Sequence, residues 1–384
     1  MNKNNSLLNF IKNEAVLCIA IFLALVSMFF VKPDKNYVKY IDFKTLGILF
    51  CLMAVVSGLK EIGVFDWFAG KILMKVKKMW QLIILLVFLC FFFSMIITND
   101  VALITFVPLS ITILEKIGEK YKERWIITVV VMQTIGANLG SMLTPIGNPQ
   151  NLYLYGKTGM SIVDFIGLML PYTILALVLL VVWIVLSVSL NKNSNDKSTI
   201  IGFNNGDMKK ISDVRKLVCY LLLFFVCIMA VAHFISFLIP LIMIIIFMAA
   251  ADRKIFKKVD YSLLVTFIGF FVFIGNLGRI EVFNEFLSDI IKGNEIMTAI
   301  ISSQVMSNVP AALLLSGFSD KYNLLIIGTN IGGLGTLIAS MASLISFKYI
   351  TRENKKLTIR YMILFTAANI IFAIAEISLI LILK

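Results

Sequence analysis

The sequence is poor in the residues that build metal centres and disulfide frameworks. Its 384 residues include one histidine and five cysteines. The single imidazole, His233, cannot form a His-rich zinc site, and it precedes a predicted turn between two apolar runs, so we interpret it as an interfacial residue. The cysteines lie within apolar runs and form no C-x-x-C pair, which argues against disulfides and metal knuckles. They are Cys18, Cys51, Cys90, Cys219 and Cys227.

Catalytic signatures are also missing. The sequence contains neither paired catalytic acids nor a metal-ligand spacing, so we expect no enzyme and no cofactor other than a coupling ion. A membrane-embedded enzyme is the alternative from a different functional class.

Charged residues are scarce and hydrophobic residues abundant. Charged residues make up 15% of the chain and hydrophobic residues 60%, and the mean hydropathy is +0.95. Soluble domains have roughly 45–50% apolar residues, so a soluble fold is excluded. The net charge of +13 is spread over short Lys and Arg tracts between apolar runs. These tracts are typical of membrane topology signals, and we expect the lipid bilayer as a partner and no nucleic acid.

Apolar runs of membrane-spanning length, ~20 residues, recur along the chain. Predicted spans are at about 15–31, 41–58, 125–147, 162–190, 217–234, 236–250, 261–277, 323–347 and 360–383. The first run is long for a signal-peptide core and no small-residue cleavage site follows it, so it is predicted to be a retained span.

Two further apolar stretches are interrupted near their middle. Polar residues break 80–115 at Thr98-Asn99-Asp100, and 295–320 at Ser307-Asn308-Val309-Pro310. Each stretch is predicted to be a re-entrant hairpin.

Two distant motifs align without a gap at a constant offset of 192, GANLGSMLTPIGNPQNL at 136–152 and GTNIGGLGTLIASMASL at 328–344. The matches are Gly136/Gly328, Asn138/Asn330, Gly140/Gly332, Thr144/Thr336, Ile146/Ile338 and Leu152/Leu344. Gly, Asn and Pro at membrane depth interrupt a helix, and the freed backbone groups are tolerated only where protein or a water-filled cavity satisfies them. Secondary transporters use such breaks as binding sites.

The duplication extends beyond these motifs. Ile41-Asp42-Phe43 matches Val259-Asp260-Tyr261 at an offset of 218. We therefore predict a first repeat over 1–190, a cytoplasmic linker over 191–216 and a second repeat over 217–384. Each repeat contains a span, an amphipathic segment, a hairpin, a broken span and a final span. The two copies start from opposite sides, so the expected fold is an all-α integral membrane protein, an inverted-repeat secondary transporter with two re-entrant hairpins and two broken transmembrane helices.

Basic tracts indicate the orientation. Four basic tracts lie on one side of the membrane if each hairpin returns to the side from which it enters. These tracts lie within 59–80, 191–216 and 251–260 and after residue 347. The positive-inside rule makes that side cytoplasmic. One loop, which contains Lys32, Lys35 and Lys39, disagrees. The prediction is a multi-pass protein of the cell membrane with a cytoplasmic N-terminus.

Asp100 is the most informative candidate for chemistry, because a carboxylate at bilayer depth is costly and is a functional-site hypothesis by default. The alternative is a helix cap at a hairpin tip closer to water. Together with oxygens of Thr98, Asn99 and Asn138, the carboxylate supplies hard ligands for Na⁺, or it binds a proton. A coupling role for the second acid, Glu376, is weighed against an interfacial position near the chain end.

Amides are expected to converge near the midplane. Asn99 and Asn308 occupy matching hairpin tips, and Asn138 and Asn330 occupy matching breaks. Amides and the N-termini of half-helices can hold an anion without an arginine. The candidate substrate and ion ligands are Thr98, Asn99, Asp100, Asn138, Thr144, Asn148, Ser307, Asn308, Asn330, Thr336 and Ser340.

Glycines and prolines are the candidates for shaping the helix breaks. Close helix packing is the alternative role of the glycines. The candidate backbone positions are Gly136, Gly140, Pro145, Gly147, Pro310, Gly328, Gly332, Gly333 and Gly335.

These motifs resemble the ion-transporter clan that includes citrate and dicarboxylate carriers, arsenite efflux permeases and certain sodium/proton antiporters. Residues 98–103 resemble the first hairpin tip of the arsenite and citrate permease branch, and Ser307-Asn308-Val309-Pro310 resembles the second. Residues 136–151 and 328–343 resemble its two broken helices. The resemblance implies an elevator-type carrier with a mobile transport domain, in which the other spans hold a homodimer interface.

The third residue of each hairpin tip departs from the Ser-Asn-Thr that is usual in the divalent-anion/sodium branch. This difference moves the chain toward the citrate or arsenite permease branch. We expect an ion-coupled carrier of a small anion, citrate or a dicarboxylate, driven by Na⁺ or H⁺. Asn99, Asp100 and Asn138 would form one cation site, with Ser307, Asn308, Asn330 and Thr336 as its pseudo-symmetric partner. Arsenite or oxyanion efflux and Na⁺/H⁺ antiport are the alternatives.

Overall fold

The computed structural model describes residues 14–190, 211–354 and 357–383, and helices account for its regular structure. The helices are α1 Ala15–Phe30, α2 Tyr37–Tyr40, α3 Phe43–Glu61, α4 Val64–Leu73, α5 Met79–Ile97, α6 Asn99–Ile117, α7 Glu119–Ser141, α8 Pro149–Thr158, α9 Ile162–Leu190, α10 Val214–Val231, α11 Leu238–Ala251, the 3₁₀ helix η1 Arg253–Lys257, α12 Tyr261–Leu277, α13 Glu281–Ile291, α14 Glu295–Met306, α15 Asn308–Leu315, α16 Tyr322–Ile331, α17 Met341–Glu353 and α18 Leu357–Leu383. Most of the predicted linker, 191–210, lies outside the described residues.

Several helices are long and apolar enough to cross a membrane. Within the part of the chain that the structure describes, five helices meet this description alone, namely α3, α5, α9, α10 and α18. Helices α12 and α13 together make a sixth candidate, bent by 104°. Two shorter apolar helices, α1 and α11, coincide with further predicted spans. The prediction of an all-α integral membrane protein is therefore confirmed, and the sharp turn between α12 and α13 separates the second predicted amphipathic segment from the span before it.

Both interrupted apolar stretches are helix pairs joined through one residue. Thr98 joins α5 to α6 with φ 74° and ψ 149°, and Ser307 joins α14 to α15 with φ 75° and ψ 154°. Such positive φ values are uncommon for residues other than glycine. The paired helices pack against each other, and Lys321 contacts Glu295 at 3.0 Å across the two ends of the second pair. The return of each hairpin to its side of the membrane stays a prediction.

The helix breaks lie further along the chain than the glycine positions had indicated. Helix α7 continues to Ser141, and the non-helical stretch is 142–148. In the second copy, α16 ends at Ile331 and the break covers 332–340. Gly136, Gly140 and Gly328 therefore lie inside helices, so their assignment to the breaks is wrong. Five of the candidates do lie in the breaks, namely Pro145, Gly147, Gly332, Gly333 and Gly335. Pro310 lies in the first turn of α15.

Two of these helical glycines permit close packing instead. A Cβ atom at Gly140 would lie 2.1 Å from the carbonyl oxygen of Phe91 in α5. At Gly328 it would lie 2.7 Å from the carbonyl oxygen of Ile296 in α14. The glycines thus let α7 and α16 approach the first helix of their own hairpin, as small residues do in membrane bundles.

Two helix pairs have relative directions that match the predicted topology. Helices α1 and α12 run parallel, because Ser262 binds Glu14 at one end and Asn276 lies 2.9 Å from Ser27 at the other. Helices α3 and α10 run antiparallel, since Lys44 lies 3.0 Å from His233, whereas Gly58 packs on Tyr220. The side of the membrane on which each end lies stays a prediction.

Candidate functional site

Asn138, in the last turn of α7, joins three parts of the chain. Its Oδ1 accepts hydrogen bonds from the Asn99 amide at 3.2 Å and from the Ser340 hydroxyl at 3.0 Å. Its Nδ2 donates to Ser343 Oγ at 3.4 Å. The first hairpin tip, the end of the second break and the half-helix that follows it therefore meet at one buried asparagine, which is 5% exposed.

Asn330, at the matching position in α16, makes the reciprocal contacts. Its Oδ1 accepts from Asn148 Nδ2 at 3.1 Å, and its Nδ2 donates to Asn151 Oδ1 at 2.6 Å. The pairs 138/330, 148/340 and 151/343 all share the offset of 192. Asn138 and Asn330 thus each accept a hydrogen bond from the last residue of the opposite break. Each also donates a hydrogen bond to the half-helix that follows that break. We call these six residues, Asn138, Asn148, Asn151, Asn330, Ser340 and Ser343, the crossed amide network.

The crossed amide network is continuous through Ser141. The hydroxyl of Ser141 donates to the carbonyl of Asn138 at 2.9 Å and accepts from Asn148 Nδ2 at 3.2 Å. Asn148 also caps α8, because its Oδ1 accepts from the Asn151 N–H at 3.0 Å. This cap is the usual reason for Asn before Pro at the start of a helix.

Backbone contacts fasten each hairpin tip to its break in the same way. The N–H of Asn99 donates to the Gly147 carbonyl at 3.1 Å, and the N–H of Asn308 donates to the Ala339 carbonyl at 2.9 Å. The hydroxyls of Thr144 and Thr336 donate to carbonyls near the ends of α5 and α14. In this conformation, these two threonines anchor the breaks to their hairpins.

The carbonyl groups of the two breaks are bound by different amides. In the first break, Asn151 Nδ2 lies 3.2 Å from the Thr144 carbonyl and within 3.5 Å of two more, those of Ser141 and Met142. In the second, Gln304 Nε2 donates to the Gly332 and Leu334 carbonyls, both at 2.8 Å. The Oε1 atom of Gln304 accepts from the Thr336 N–H at 3.0 Å.

Sequence reasoning missed four of these residues, Ser141, Asn151, Gln304 and Ser343. For Asn151 and Ser343 a signal was available, because the offset of 192 pairs them one position before the end of the aligned motif. For Gln304 there was none, since the equivalent position in the first hairpin, 209 residues earlier, is Met95.

Asp100 is the second residue of α6 and is partly buried. Its N–H donates to Asn99 Oδ1 at 2.9 Å, and the side chain of Thr98, which precedes α6, makes no capping hydrogen bond. A negative charge in the first turn of a helix is favoured by the helix dipole. The equivalent residue of the second hairpin is Val309, so the acid is present in one half.

The second hairpin tip is buried but less tied to the network. Ser307 is 1% and Asn308 5% exposed, and the hydroxyl of Ser307 lies 3.5 Å from Asn308 Oδ1. Among the described residues no hydrogen bond joins Asn308 to Asn330, in contrast to the Asn99–Asn138 pair. Asn99 thus bonds to Asn138, Asn330 is linked to Asn138 through Asn148 and Ser141, and Asn308 lies beside Gly333. The convergence of these four amides near the midplane stays a prediction.

The described residues contain no group of three or more His, Cys, Asp or Glu side chains that could hold a metal ion. A cation at this site would therefore depend on Asp100, neighbouring amide oxygens and backbone carbonyls. Carboxylate and carbonyl oxygens are the ligands that hard cations prefer.

Comparisons with known proteins agree with this architecture. A family model described as citrate transporter, CitMHS, matches residues 7–319. An uncharacterized transporter of Methanocaldococcus jannaschii is 32% identical over 338 residues, which are 86% of this chain and 87% of the relative. The inner membrane protein YbiR of Escherichia coli is 29% identical over 327 residues, 84% of each chain. The P protein of Homo sapiens is 29% identical over 125 residues, 32% of this chain and 14% of that protein. The chain belongs to the citrate transporter family and is a multi-pass membrane transporter.

Proposed function

We propose that this transporter moves a small organic anion, citrate or a dicarboxylate, by ion-coupled alternating access. The observation that carries the proposal is the crossed amide network, which joins the two helix breaks and the first hairpin tip. Amides offer donors to an anionic substrate. The N-termini of α8 and α17 follow directly after the two breaks and add a favourable dipole for negative charge.

The coupling cation is proposed to act beside the same network. Asp100 is adjacent to Asn99, whose side chain is hydrogen-bonded to Asn138. A carboxylate and two amides therefore lie next to one another at the first hairpin tip. This set would bind Na⁺ or a proton, and Ser307, Asn308, Asn330 and Thr336 are its proposed counterpart in the second half. A carrier of this kind needs no catalytic residue.

The two halves are proposed to be inverted repeats. Matching local structure supports this: the hairpin tips share an unusual backbone conformation, and Asp42 and Asp260 cap α3 and α12 in the same way, each accepting from an N–H three residues later. We further propose a homodimer in the cell membrane with a cytoplasmic N-terminus. The Escherichia coli relative is called an inner membrane protein, which supports this location.

The test is uptake of radiolabelled citrate and succinate by proteoliposomes, with inward Na⁺ or H⁺ gradients, for the wild type and Asp100→Asn. The proposal expects gradient-driven uptake that Asp100→Asn loses. Arsenite movement without citrate uptake would instead favour oxyanion efflux. Sodium-driven pH changes without any added anion would favour Na⁺/H⁺ antiport at Asp100.

A further inference from the structure

His233 lies in the turn after α10, in a left-handed backbone conformation. Among the described residues other than glycine, positive φ values occur at the two hairpin tips and at His233, where φ is 65°. The N–H of His233 donates to the Ala230 carbonyl at 3.2 Å, and the N–H of Phe234 donates to the Met229 carbonyl at 3.0 Å. This pair of hydrogen bonds is the Schellman motif, in which glycine is the usual residue at the position of His233.

The imidazole ring of His233 therefore needs an explanation of its own. A residue with a Cβ atom adopts a left-handed backbone at a cost in free energy that glycine does not have. Hydrophobic burial does not explain the ring, because His233 is exposed. The contacts of the ring with other helices remain as the explanation.

The ring of His233 connects the end of α10 to α8 and α3. It stacks on Tyr155 of α8, with ring centroids 5.3 Å apart and an angle of 12° between the ring planes. Its Nδ1 lies 3.0 Å from Lys44 Nζ of α3. An ammonium group only donates hydrogen bonds, so Nδ1 accepts and the ring is neutral. Partial burial and the Lys44 ammonium hold the pKa of His233 below its ordinary value, which agrees with a neutral ring.

Tyr155 takes part in this contact through its ring. It is 1% exposed, and Phe165 of α9 meets the ring edge-on with centroids 5.8 Å apart. Among the described residues, its hydroxyl has no hydrogen-bond partner. A Cβ atom at the neighbouring Gly156 would lie 3.8 Å from Thr45 Oγ1 of α3. The end of α8 is thus packed against α9, the start of α3 and the turn after α10.

The other end of α8 belongs to the crossed amide network. Asn148 caps the helix, and Asn151 Oδ1 accepts from Asn330 Nδ2 at 2.6 Å. Asn151 and Tyr155 are four residues apart and lie on one face of the helix, about 6 Å along its axis. Helix α8 has ten residues, so it is about 15 Å long. A contact that fixes its end therefore also restricts the two asparagines at its start.

We propose that His233 is a positioning residue for the anion site. Together with Lys44 it holds Tyr155, and this contact keeps Asn148 and Asn151 of α8 in the crossed amide network. The inference rests on the proposed function, because it takes the network to be the site of the anion. It adds to that site a residue from outside both aligned motifs, which acts through α8 and does not touch the anion.

Three variants separate the ring contact from the turn and from the tyrosine hydroxyl. His233→Gly removes the imidazole and places the usual residue in the Schellman motif, so this variant should fold. Tyr155→Leu removes the ring on which His233 stacks. Tyr155→Phe is the matched control, because it keeps the ring and loses a hydroxyl that has no partner among the described residues.

Amide hydrogen exchange of α8 in the purified proteins tests the positioning without any substrate. A contact between aromatic rings corresponds to a factor of about two to ten, so exchange over 149–158 should accelerate by this factor in His233→Gly and stay unchanged in Tyr155→Phe. The double variant should match Tyr155→Leu alone, since the ring that His233 contacts is already absent.

Three exchange results would overturn the inference. The first is unchanged exchange of α8 in His233→Gly. The second is full additivity of His233→Gly and Tyr155→Leu, which would mean that the two rings act independently. The third is faster exchange throughout His233→Gly together with a lower melting temperature, which would indicate a merely structural role.

Calorimetric titration of citrate tests the connection to the anion site. His233→Gly should weaken citrate binding by about two- to ten-fold, because the anion then has to select the ordered position of α8, and Tyr155→Phe should bind like the wild type. Faster exchange of α8 with unchanged citrate affinity would overturn this connection. If the wild type binds no citrate, the citrate assignment fails, whereas faster exchange at Asn148 and Asn151 in His233→Gly still supports the positioning role.

Discussion

At the residue scale, asparagine pairs determine how the two halves of the transporter meet. Asn138 and Asn330 each bond to a residue that ends the opposite break and to one in the half-helix beyond it. The sequence could predict that positions 138 and 330 are equivalent, because they share a constant offset. It could not predict that their side chains cross to the other half, since an offset contains no information about the direction of a side chain.

The structural role of a glycine is equally difficult to predict from the sequence. Glycine interrupts helices and it also permits close packing, and a sequence does not distinguish the two roles. Gly147 lies in a break, where a Cβ atom would be 2.0 Å from the Ser141 carbonyl oxygen. Gly140 lies in a helix and packs on Phe91. The prediction was right for the first position and wrong for the second.

Gly140→Ala should destabilise the protein, because the new methyl group meets backbone atoms of α5 that cannot move away easily. Overpacking of this kind costs about 1–3 kcal/mol. Gly167→Ala in α9 is the control, since a Cβ atom there has no neighbour within 4 Å, and alanine in a helix is favoured by about 0.5–1 kcal/mol over glycine. Thermal unfolding in detergent measures both. Equal melting temperatures for the two variants would contradict the packing role.

At the element scale, the two hairpins share a tip geometry but hold their breaks with different side chains. Thr98 and Ser307 both adopt φ near 75°, a conformation that costs about 1–3 kcal/mol outside glycine and persists only where neighbours enforce it. The neighbours here are the break carbonyls that accept from Asn99 and Asn308. The hairpins were predictable from polar residues within apolar stretches, whereas Gln304 has no counterpart in the first half to reveal it.

Gln304→Met should loosen the second break, because it removes the donor to the Gly332 and Leu334 carbonyls and the acceptor for the Thr336 N–H. Each buried polar group left without a partner costs about 1–3 kcal/mol. Amide hydrogen exchange over 332–340 should accelerate by about ten-fold for each 1.4 kcal/mol lost. Met95→Leu, at the equivalent position of the first hairpin, is the control. Unchanged exchange in Gln304→Met would show that this side chain does not hold the break.

Single-cysteine labelling tests whether the hairpins are re-entrant. In a background without the native cysteines, Lys78→Cys and Lys120→Cys flank the first hairpin, and Lys292→Cys and Asp320→Cys flank the second; all four positions are exposed. A membrane-impermeant thiol reagent should reach the first pair from the cytoplasmic side only and the second pair from the outside only. Labelling of one pair from opposite sides would mean that the stretch crosses the membrane completely.

At the scale of the whole molecule, composition alone predicted the membrane environment and the helical fold. The order of spans and hairpins followed from apolar runs and their polar interruptions, and two sequence offsets indicated the duplication; the parallel and antiparallel helix pairs agree with this order. The ends of helices and breaks were less predictable, because hydrogen bonds such as the Asn148 cap of α8 decide where a helix begins. Substrate and coupling ion depend on side-chain geometry that no offset contains, and these are the subjects of the proposals made above.

The central claim is that the crossed amide network binds the anion. Calorimetric titration of citrate into the purified protein tests it, with Asn138→Ala and Asn330→Ala as variants. Asn323→Ala is the matched control, an exposed asparagine in the same helix as Asn330. Loss of one hydrogen bond to a charged ligand costs about 1.5–3 kcal/mol, so each network variant should weaken binding by about ten-fold or more, and the control should bind like the wild type. Wild-type affinity in both correctly folded network variants would contradict the claim.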